Sequence, residues 1–299
     1  MAEKKKFNYG GQAVIEGVMI RGRESLVTAV RRPGGDITID ARPLPSIYTG
    51  RLRRMPLARG IIVLIESMVL GIQSLMYSAN VAMQEEAEEI NAKAIWGMVA
   101  SGIVLVVVLF FLAPLFLTNL VRSHIPNSVV FNIVEGAIRL AIFIAYLKVV
   151  SLLPDIKRVF TYHGAEHKTV NAYEAGEPLE AEAIRNYGKA HVRCGTSFLF
   201  TVLIIAIVVF SLVGRPALWL MVVSRIALIP VIAAIGYEVT YFSARHTHHW
   251  LVRIILAPGL LLQSMTTAEP DDSQIEVAIA AMGKAIEIDD AAAPAQPSA

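Results

Sequence analysis

The length, composition and charge of the chain exclude several classes of protein. Its 299 residues are 55% hydrophobic and 17% charged, with a mean hydropathy of +0.55, which is more apolar than a soluble core of this size requires. The single cysteine, Cys194, excludes an intramolecular disulfide and fits soluble parts in a reducing compartment. Residues 1–9 contain three lysines with no apolar run after them, so we expect no cleavable signal peptide.

Residues 1–57 are predicted to form a cytoplasmic region with a β-hairpin. Two β-rich segments, 26–30 and 36–40, flank a short turn that contains Gly34 and Gly35. The glycine-punctuated stretch 10–22 matches neither a P-loop nor a dinucleotide-binding motif, so we expect packed turns there. The basic run at 51–59 is expected to contact anionic lipid headgroups. We expect no nucleic-acid partner, because no aromatic residues are interleaved with these arginines.

Residues 58–83 are predicted to form an interfacial or re-entrant amphipathic helix. Polar residues recur every seven positions along one helical face, which is typical of a helix at the membrane surface. They are Arg59, Glu66, Gln73 and Asn80. A span at this position would also place the basic N-terminal region outside the cytoplasm, against the positive-inside rule.

Four transmembrane helices are predicted, at 95–121, 129–153, 196–213 and 217–242, and they form two hairpins. The first of them has no charged residue over 27 positions from Ile95 to Val121, and such a helix is about 40 Å long. The short loops at 122–128 and 214–216 hold one arginine each, whereas the other flanks hold most of the basic residues. The positive-inside rule therefore places both termini and the loop 154–195 in the cytoplasm of a bacterial inner membrane.

Three further segments complete the predicted organisation. Residues 250–265 are apolar but contain Pro258 and Gly259, and we expect an interfacial segment broken there. Residues 272–287 are predicted to form a cytoplasmic amphipathic helix with an acidic start, and 291–299 a disordered tail. The fold class is an α-helical polytopic membrane protein with interfacial helices and a small N-terminal β-hairpin region. Its expected partners are the lipid bilayer and a membrane protein or a second copy of the chain.

The strongest chemical signal is the sequence His-Gly-Ala-Glu-His at 163–167. His163 and His167 lie one helical turn apart, a spacing that lets both imidazoles bind one zinc ion. Glu166 completes an H-x-x-E-H pattern, in which the carboxylate acts as the catalytic base. His191 and Cys194, in the same loop, extend the candidate zinc ligands to four. Thiolate and imidazole ligands favour zinc.

The number of protein ligands separates two roles for such a site. Three ligands and an open position are typical of catalysis, whereas four closed ligands are typical of a structural site. A site without metal is the alternative, with both histidines solvated or in contact with a partner and Cys194 as a small apolar residue. Glu174 lies about 10 Å from His167 along the helix, which favours a role beside the metal or in substrate contact.

A second signal is charge within the predicted spans. Glu135 and Arg139 are four residues apart on the second span, and Arg225 lies on the fourth at a similar depth, roughly 9 to 15 Å from the outer ends. We expect one buried cluster. It either has a function, the default for ionisable groups in a membrane, or fixes the packing of the helices.

Four motifs occur in order along the chain: Gly10–Met19, Tyr162–Lys168, Arg193–Phe198 and Glu269–Asp272. Together they resemble the bacterial YqhQ family over nearly the whole chain. The resemblance implies a domain of unknown function and the label of a predicted metal-dependent enzyme, which depends on the same residues. One departure is Leu261, where relatives are expected to have tryptophan.

The leading functional hypothesis is a zinc-dependent hydrolase that acts on a substrate near the membrane. The alternative is a non-enzymatic factor for membrane-protein biogenesis or a scaffold, with a structural zinc. A transporter that uses the intramembrane charges is weaker, because four spans without repeats offer little alternating-access machinery.

Overall fold

The computed structural model describes residues 7–83, 92–214 and 216–292. An antiparallel sheet in the order β1-β2-β3-β4 comes first, with β1 at Gly10–Val14, β2 at Gly17–Arg21, β3 at Ser25–Arg31 and β4 at Ile37–Pro43. The predicted hairpin corresponds to β3 and β4. The stretch 10–22, expected to form turns, instead forms β1 and β2, because the strands on its two sides pair over five positions despite the glycines. The expected hairpin region is thus a complete four-stranded sheet.

Helices make up the rest of the described chain. They are α1 (Ser46–Thr49), α2 (Ala58–Ala82), α3 (Ala92–Val107), α4 (Ala113–Leu120), α5 (Ser128–Val150), α6 (Pro154–Ala175), α7 (Ala181–Arg185), α8 (Gly195–Val213), α9 (Leu218–Ala227), α10 (Ile229–Arg245), α11 (Trp250–Thr266) and α12 (Asp272–Ala291). A π-helical turn at Val108–Leu112 joins α3 to α4, and 3₁₀ turns occupy Arg51–Arg54 and Arg122–His124. The expectation of a mainly helical chain with a small N-terminal β-region is confirmed.

The sheet lies between helices, and both of its faces are buried. Because successive side chains of a strand point to opposite faces, one face presents Val18, Val27 and Ala29 to a core that includes Ile275 and Met282 of α12. The other face packs its own apolar side chains against α2. This arrangement joins the N-terminal strands, α6 and the C-terminal helix in one unit.

The predicted C-terminal helix is present as α12 and continues to Ala291, beyond the expected end at 287. It begins with a capping box in which Asp271 accepts from the backbone N–H of Gln274 and the Gln274 side chain accepts from Asp271. Buried alanines let it approach the sheet and α6 closely. Residues 293–299 of the predicted tail lie outside the described residues.

The buried polar face of α2 carries Glu66, Ser74 and Ser78 and packs against the sheet region, whereas Gln73 and Asn80 of the predicted stripe are exposed. Glu66 is buried and pairs with Arg21 and Arg53, while Ser74 accepts a hydrogen bond from Thr28 at 3.1 Å. The opposite face is apolar and exposed, with side chains such as those of Ile65 and Met68. Two arginines of the run expected to contact lipid have acidic partners in the protein: Arg53 pairs with Glu66, and Arg59 pairs with Glu238 of α10.

Within the described residues, three helical segments are long and apolar enough to cross a membrane: Ala58–Ala82, Trp96–Leu120 and Gly195–Val213. Two bent pairs raise this number to five if each is one span. The first pair, α5 and α6, is bent by 99°, and the second, α9 and α10, by 45°. Pro230 follows the second bend, and proline cannot donate the backbone hydrogen bond that would continue a straight helix. The chain is thus compatible with a membrane protein of three to five spans.

The connecting segment 154–195 begins with α6, which carries the two histidines one turn apart and has Gly176 as its C-cap in the left-handed conformation with φ 88°. One expectation about the connecting segments needs correction. The segment 250–265 is not broken at Pro258, because α11 continues through this residue. Gly259 packs directly against Ser197 of α8, and this contact supports the helix where the backbone hydrogen bond is missing.

Candidate metal centre

Helix α6 carries the two predicted histidine ligands on one face. His163 and His167 lie one turn apart, and their ring centroids are 4.3 Å apart. Cys194 reaches them from the N-cap of α8. One ligand atom from each of the three residues lies within 4.8 Å of the others, so the structure brings together three of the four predicted ligands.

Backbone carbonyls determine which ring nitrogen of each histidine is free. Nδ1 of His163 lies 2.8 Å from the carbonyl oxygen of Thr266, and Nδ1 of His167 lies 2.5 Å from that of Lys189. A carbonyl oxygen only accepts, so Nδ1 carries the proton in both neutral rings. Nε2 of each ring therefore has a free lone pair, as a metal ligand requires.

The spacing of these atoms fits a zinc ion. Tetrahedral zinc with nitrogen and sulfur ligands holds neighbouring ligand atoms about 3.3 to 3.6 Å apart. Nε2 of His163 lies 3.4 Å from Sγ of Cys194, and both His167 and Cys194 are buried. The distance between His163 and Cys194 is thus within the range of a zinc site, and the three ligand atoms together lie within 4.8 Å of one another.

Glu166 lies beside this set and is buried. Its Oε2 is 3.6 Å from Nε2 of His167, while it is not one of the three residues whose ligand atoms converge. Gly11 of β1 covers it, since a Cβ at Gly11 would lie 3.0 Å from Cγ of Glu166. This position suits a carboxylate that exchanges a proton with a molecule bound next to His167.

His191 does not join the other ligands. Its Nε2 lies 3.4 Å from Oε2 of Glu174, and its ring centroid lies 5.7 Å from that of His167. The side chain of Gln263 holds its backbone: the N–H of His191 donates to Oε1 at 2.9 Å, and Nε2 of Gln263 donates to the His191 carbonyl at 2.8 Å. In this conformation His191 offers no ligand atom to the group that His163, His167 and Cys194 form in the described chain.

Glu174 contacts His191 and Arg193 and not the three converging ligands. Burial raises the pKa of its carboxyl, but hydrogen bonds from His191 and Arg193 outweigh burial and hold the pKa below its usual range. Glu174 therefore stays ionised near neutral pH and keeps the ring of His191 turned away from His167.

Sequence reasoning missed the residues that position the ligands. Gln263 and Thr266 lie on α11. The sequence offers one signal for this role, the polar side chain of Gln263 within an apolar stretch. Gly164 was also missed: a Cβ there would lie 2.1 Å from the carbonyl oxygen of Ala268. Only a glycine lets α6 approach the end of α11 closely enough for the contact between His163 and Thr266.

The three predicted intramembrane charges form one buried group. Nη2 of Arg139 donates to Oε1 of Glu135 at 2.6 Å, and Nη2 of Arg225 donates to Oε2 of Glu135 at 2.7 Å. Nη2 of Arg225 also donates to Asn132 at 2.9 Å, and Nε of Arg139 donates to the Phe110 carbonyl at 2.8 Å in the π-helical turn. The Glu135 carboxylate thus pairs with both guanidinium groups and links α5 to α9.

A family profile described as "Protein of unknown function (DUF1385)" matches residues 55–288. The chain belongs to this family. The "Uncharacterized protein YqhQ" of Bacillus subtilis (strain 168) is 35% identical over 297 residues, covering 94% of this chain and 93% of the relative. The resemblance to the YqhQ family is confirmed, and neither description names an activity. No solved structure matches the chain. All four candidate ligands and Glu166 lie within the region that defines the DUF1385 family.

Proposed function

We propose that this DUF1385 protein is a zinc-dependent hydrolase of the bacterial cytoplasmic membrane, with its site in the cytoplasmic part. The observation that carries the proposal is the convergence of His163, His167 and Cys194 with both imidazoles fixed in the tautomer that frees Nε2. Three protein ligands and one open position are typical of catalytic zinc.

Glu166 is the proposed catalytic base. Bound zinc would supply Lewis-acid activation of water. Oε2 of Glu166 lies 3.6 Å from Nε2 of His167, and in this proposal it would accept a proton from water and pass it to the leaving group. Glu174 and Arg193 lie on the side of His191, where they can contact a substrate or hold the ring in place.

Three features support the membrane location. Helices α3 and α8 expose apolar side chains over much of their length. Such exposure is unfavourable in water but not in the lipid of a membrane. Trp96, Trp219 and Trp250 are each more than 60% exposed and lie at helix starts, where tryptophan is typical of the membrane interface. The distribution of arginine and lysine favours cytoplasmic termini. We propose that α2 lies at the membrane interface, because its buried polar face packs against the sheet and its apolar face is exposed.

A structural zinc site in a non-enzymatic biogenesis or scaffold factor is the second candidate. The site connects three segments, since its residues contact Lys189, Thr266 and the start of α8. The ring of His191 lies 5.7 Å from that of His167, so a rotation away from Glu174 would bring a fourth ligand toward the metal. A second copy of the chain or a membrane protein is the proposed partner. A transporter has less support, because the Glu135 carboxylate is paired with both arginines.

Elemental mass spectrometry of the full chain, purified in detergent without chelators, tests the proposal. We expect about one zinc per chain in the wild type and in His191→Ala, and loss of zinc in His163→Ala with His167→Ala. Loss of zinc in His191→Ala as well would favour the closed structural site. A folded wild type without stoichiometric metal would overturn both candidates. The variant Glu166→Gln, expected to retain zinc, is the control for an activity search.

A further inference from the structure

A cavity of about 240 Å³ is lined by Arg158 in the first turns of α6 and by none of the three converging ligands. Its walls are the β1–β2 turn, the β3–β4 turn, the end of α2 and the first turns of α6. Arg31, Arg32 and Arg158 line it together with one carboxylate, Glu16, and Ala82 of α2. This volume is below the roughly 300 to 1,000 Å³ of pockets for drug-sized ligands, so the cavity suits a small charged group.

Glu16 holds Arg158 in position at the cavity. Both oxygens of Glu16 accept from the Arg158 guanidinium, through Nε and through Nη2, and the Tyr162 hydroxyl lies 3.3 Å from Oε2. Glu16 has a φ of 52°, a left-handed conformation that is unfavourable for a non-glycine residue. Its carbonyl accepts from the backbone N–H of Arg31 at 2.8 Å. Contacts of the Glu16 carboxylate and of its backbone carbonyl therefore hold Glu16 in this conformation. The carboxylate in turn fixes the position of the Arg158 guanidinium.

Arg31 brings an unsatisfied donor to the cavity. Its Nη1 donates to the Gly35 carbonyl at 2.7 Å, and its Nη2 donates to the Ser273 carbonyl at 2.6 Å and to Glu276 at 3.0 Å. Its Nε is buried and has no hydrogen-bond partner among the described residues. An unpaired buried donor on a charged group is unfavourable, and a small movement of the Arg31 side chain would let an anion in the cavity accept from it.

The charges around the cavity also favour an anion. Three guanidinium groups face one carboxylate in the lining. The acidic partners of Arg32 and Arg31 from outside the lining are Asp36 and Glu276, whose side chains are 62% and 59% exposed. Solvent screens such exposed pairs strongly. The lining side chains thus carry a formal charge of +2, from three guanidinium groups and one carboxylate, and planar guanidinium groups match the oxygens of a phosphate.

We propose that this cavity, between Arg31, Arg32 and Arg158, binds a phosphate group. The source is either the headgroup of an anionic phospholipid or free inorganic phosphate. The position favours the headgroup: α2 is apolar enough to lie in a membrane and ends at the cavity, while α6 starts directly after α5 and is bent by 99° from it. The lipid source therefore depends on the membrane location proposed above, whereas phosphate binding does not.

Calorimetric titration of the full chain in detergent tests the site, with three ligands: short-chain phosphatidylglycerol, short-chain phosphatidylcholine and inorganic phosphate. We expect phosphatidylglycerol to bind at least about tenfold more tightly than phosphatidylcholine, and inorganic phosphate to compete with it. Arg31→Gln is expected to weaken binding about tenfold or more, because a charged hydrogen bond contributes roughly 1.5 to 3 kcal/mol. Arg31→Lys retains the charge but removes Nε, so we expect an intermediate loss.

Arg42→Gln is the matched control, since Arg42 is an exposed arginine of β4 that pairs with Asp40 and does not line the cavity. Binding of phosphatidylglycerol without phosphate identifies the lipid as the ligand, and binding of phosphate alone identifies the free ion; both retain the site. If neither binds, or if Arg42→Gln weakens binding as much as Arg31→Gln, the proposal is overturned. Because Arg158→Gln leaves Glu16 unpaired and risks misfolding, the two Arg31 variants carry the test, with circular dichroism as the check on folding.

Discussion

Nε2 of His163 lies 3.4 Å from Sγ of Cys194, although 31 positions separate the two residues in the chain. The chain leaves α6 at Gly176, turns back through α7, and starts α8 with Cys194 as its N-cap. The Cys194 sulfur thus meets the imidazole of His163 at the N-terminus of α8. One sulfur beside two free Nε2 atoms is the donor set that the proposed zinc site requires.

Cobalt substitution tests the thiolate ligand directly. We expect Co²⁺ added to metal-free protein to give a sulfur-to-cobalt charge-transfer band in the near ultraviolet, because Cys194 is one of the three converging ligands. The band should disappear in Cys194→Ser and persist in His191→Ala. Absorption spectroscopy on protein in detergent measures this. A band that persists in Cys194→Ser would exclude Cys194 as a ligand, since the chain has no other cysteine.

Replacement of Gly164 by alanine should separate α6 from the end of α11. The added Cβ would lie 2.1 Å from the carbonyl oxygen of Ala268, so the backbone must move, at a cost of about 1 to 3 kcal/mol in stability. We also expect weaker zinc binding, because the contact between His163 and Thr266 depends on this approach. Gly188→Ala is the control, as its Cβ meets no atom within 4 Å. Thermal unfolding and zinc titration measure both effects, and equal behaviour of the two variants would contradict the argument.

The sequence predicts local chemistry better than it predicts long-range contacts. The spacing of His163 and His167 is a property of one helix, so it could be predicted without knowledge of the fold. The separation of His191 from the other ligands could not, because it depends on Glu174 and Gln263, which approach from two different helices.

The same limit applies to the fold. Hydrophobic periodicity indicates α2 and α12, but the strands β1 and β2 were missed since glycines in a strand resemble turns in the sequence. Continuity of α11 through Pro258 was missed for a different reason. Packing of Gly259 against Ser197 is a tertiary contact, and tertiary contacts override the local tendency of proline to break a helix.

Asp271, the N-cap of α12, should make the stability of the unit formed by the sheet, α6 and α12 depend on pH. Burial raises the pKa of its carboxyl, but hydrogen bonds from Ser273 and from the backbone of Gln274 outweigh burial and hold the pKa below its ordinary value of about 3.9. A depressed pKa in the folded state contributes stability above the unfolded pKa, and this contribution is lost as pH falls through the folded pKa.

Two substitutions separate the charge of Asp271 from its role as a helix cap. Asp271→Asn retains the cap and should remove part of the loss of stability below about pH 4. Asp271→Ala removes the cap and should cost about 0.5 to 2 kcal/mol at neutral pH. Thermal unfolding between acidic and neutral pH measures both variants. Identical pH profiles for the wild type and Asp271→Asn would show that this carboxylate does not contribute.

Cysteine labelling should reveal the orientation of the chain in the membrane. Ser123 lies in the connection between the first two predicted spans, and Ser273 lies at the start of α12; both are exposed. We expect a membrane-impermeant maleimide to label Ser123→Cys in intact cells, and to label Ser273→Cys only after the membrane is opened. The wild type is the blank, because its only cysteine is buried. Labelling of Ser273→Cys in intact cells would reverse the proposed orientation.

Glu135→Gln should be among the most damaging single substitutions in the helical part. The Glu135 carboxylate is the acidic partner of both Arg139 and Arg225, and all three side chains are at most 3% exposed. Its removal leaves two buried guanidinium groups without a counter-charge, and the loss of one partner from a buried ion pair typically costs about 3 to 5 kcal/mol. Lys148→Gln, on an exposed position of the same helix, should change little. Unfolding of the detergent-purified variants measures the difference. A Glu135→Gln protein as stable as Lys148→Gln would mean that water or another anion balances the two arginines, and the cluster would then be a site of solvent access and not a packing element.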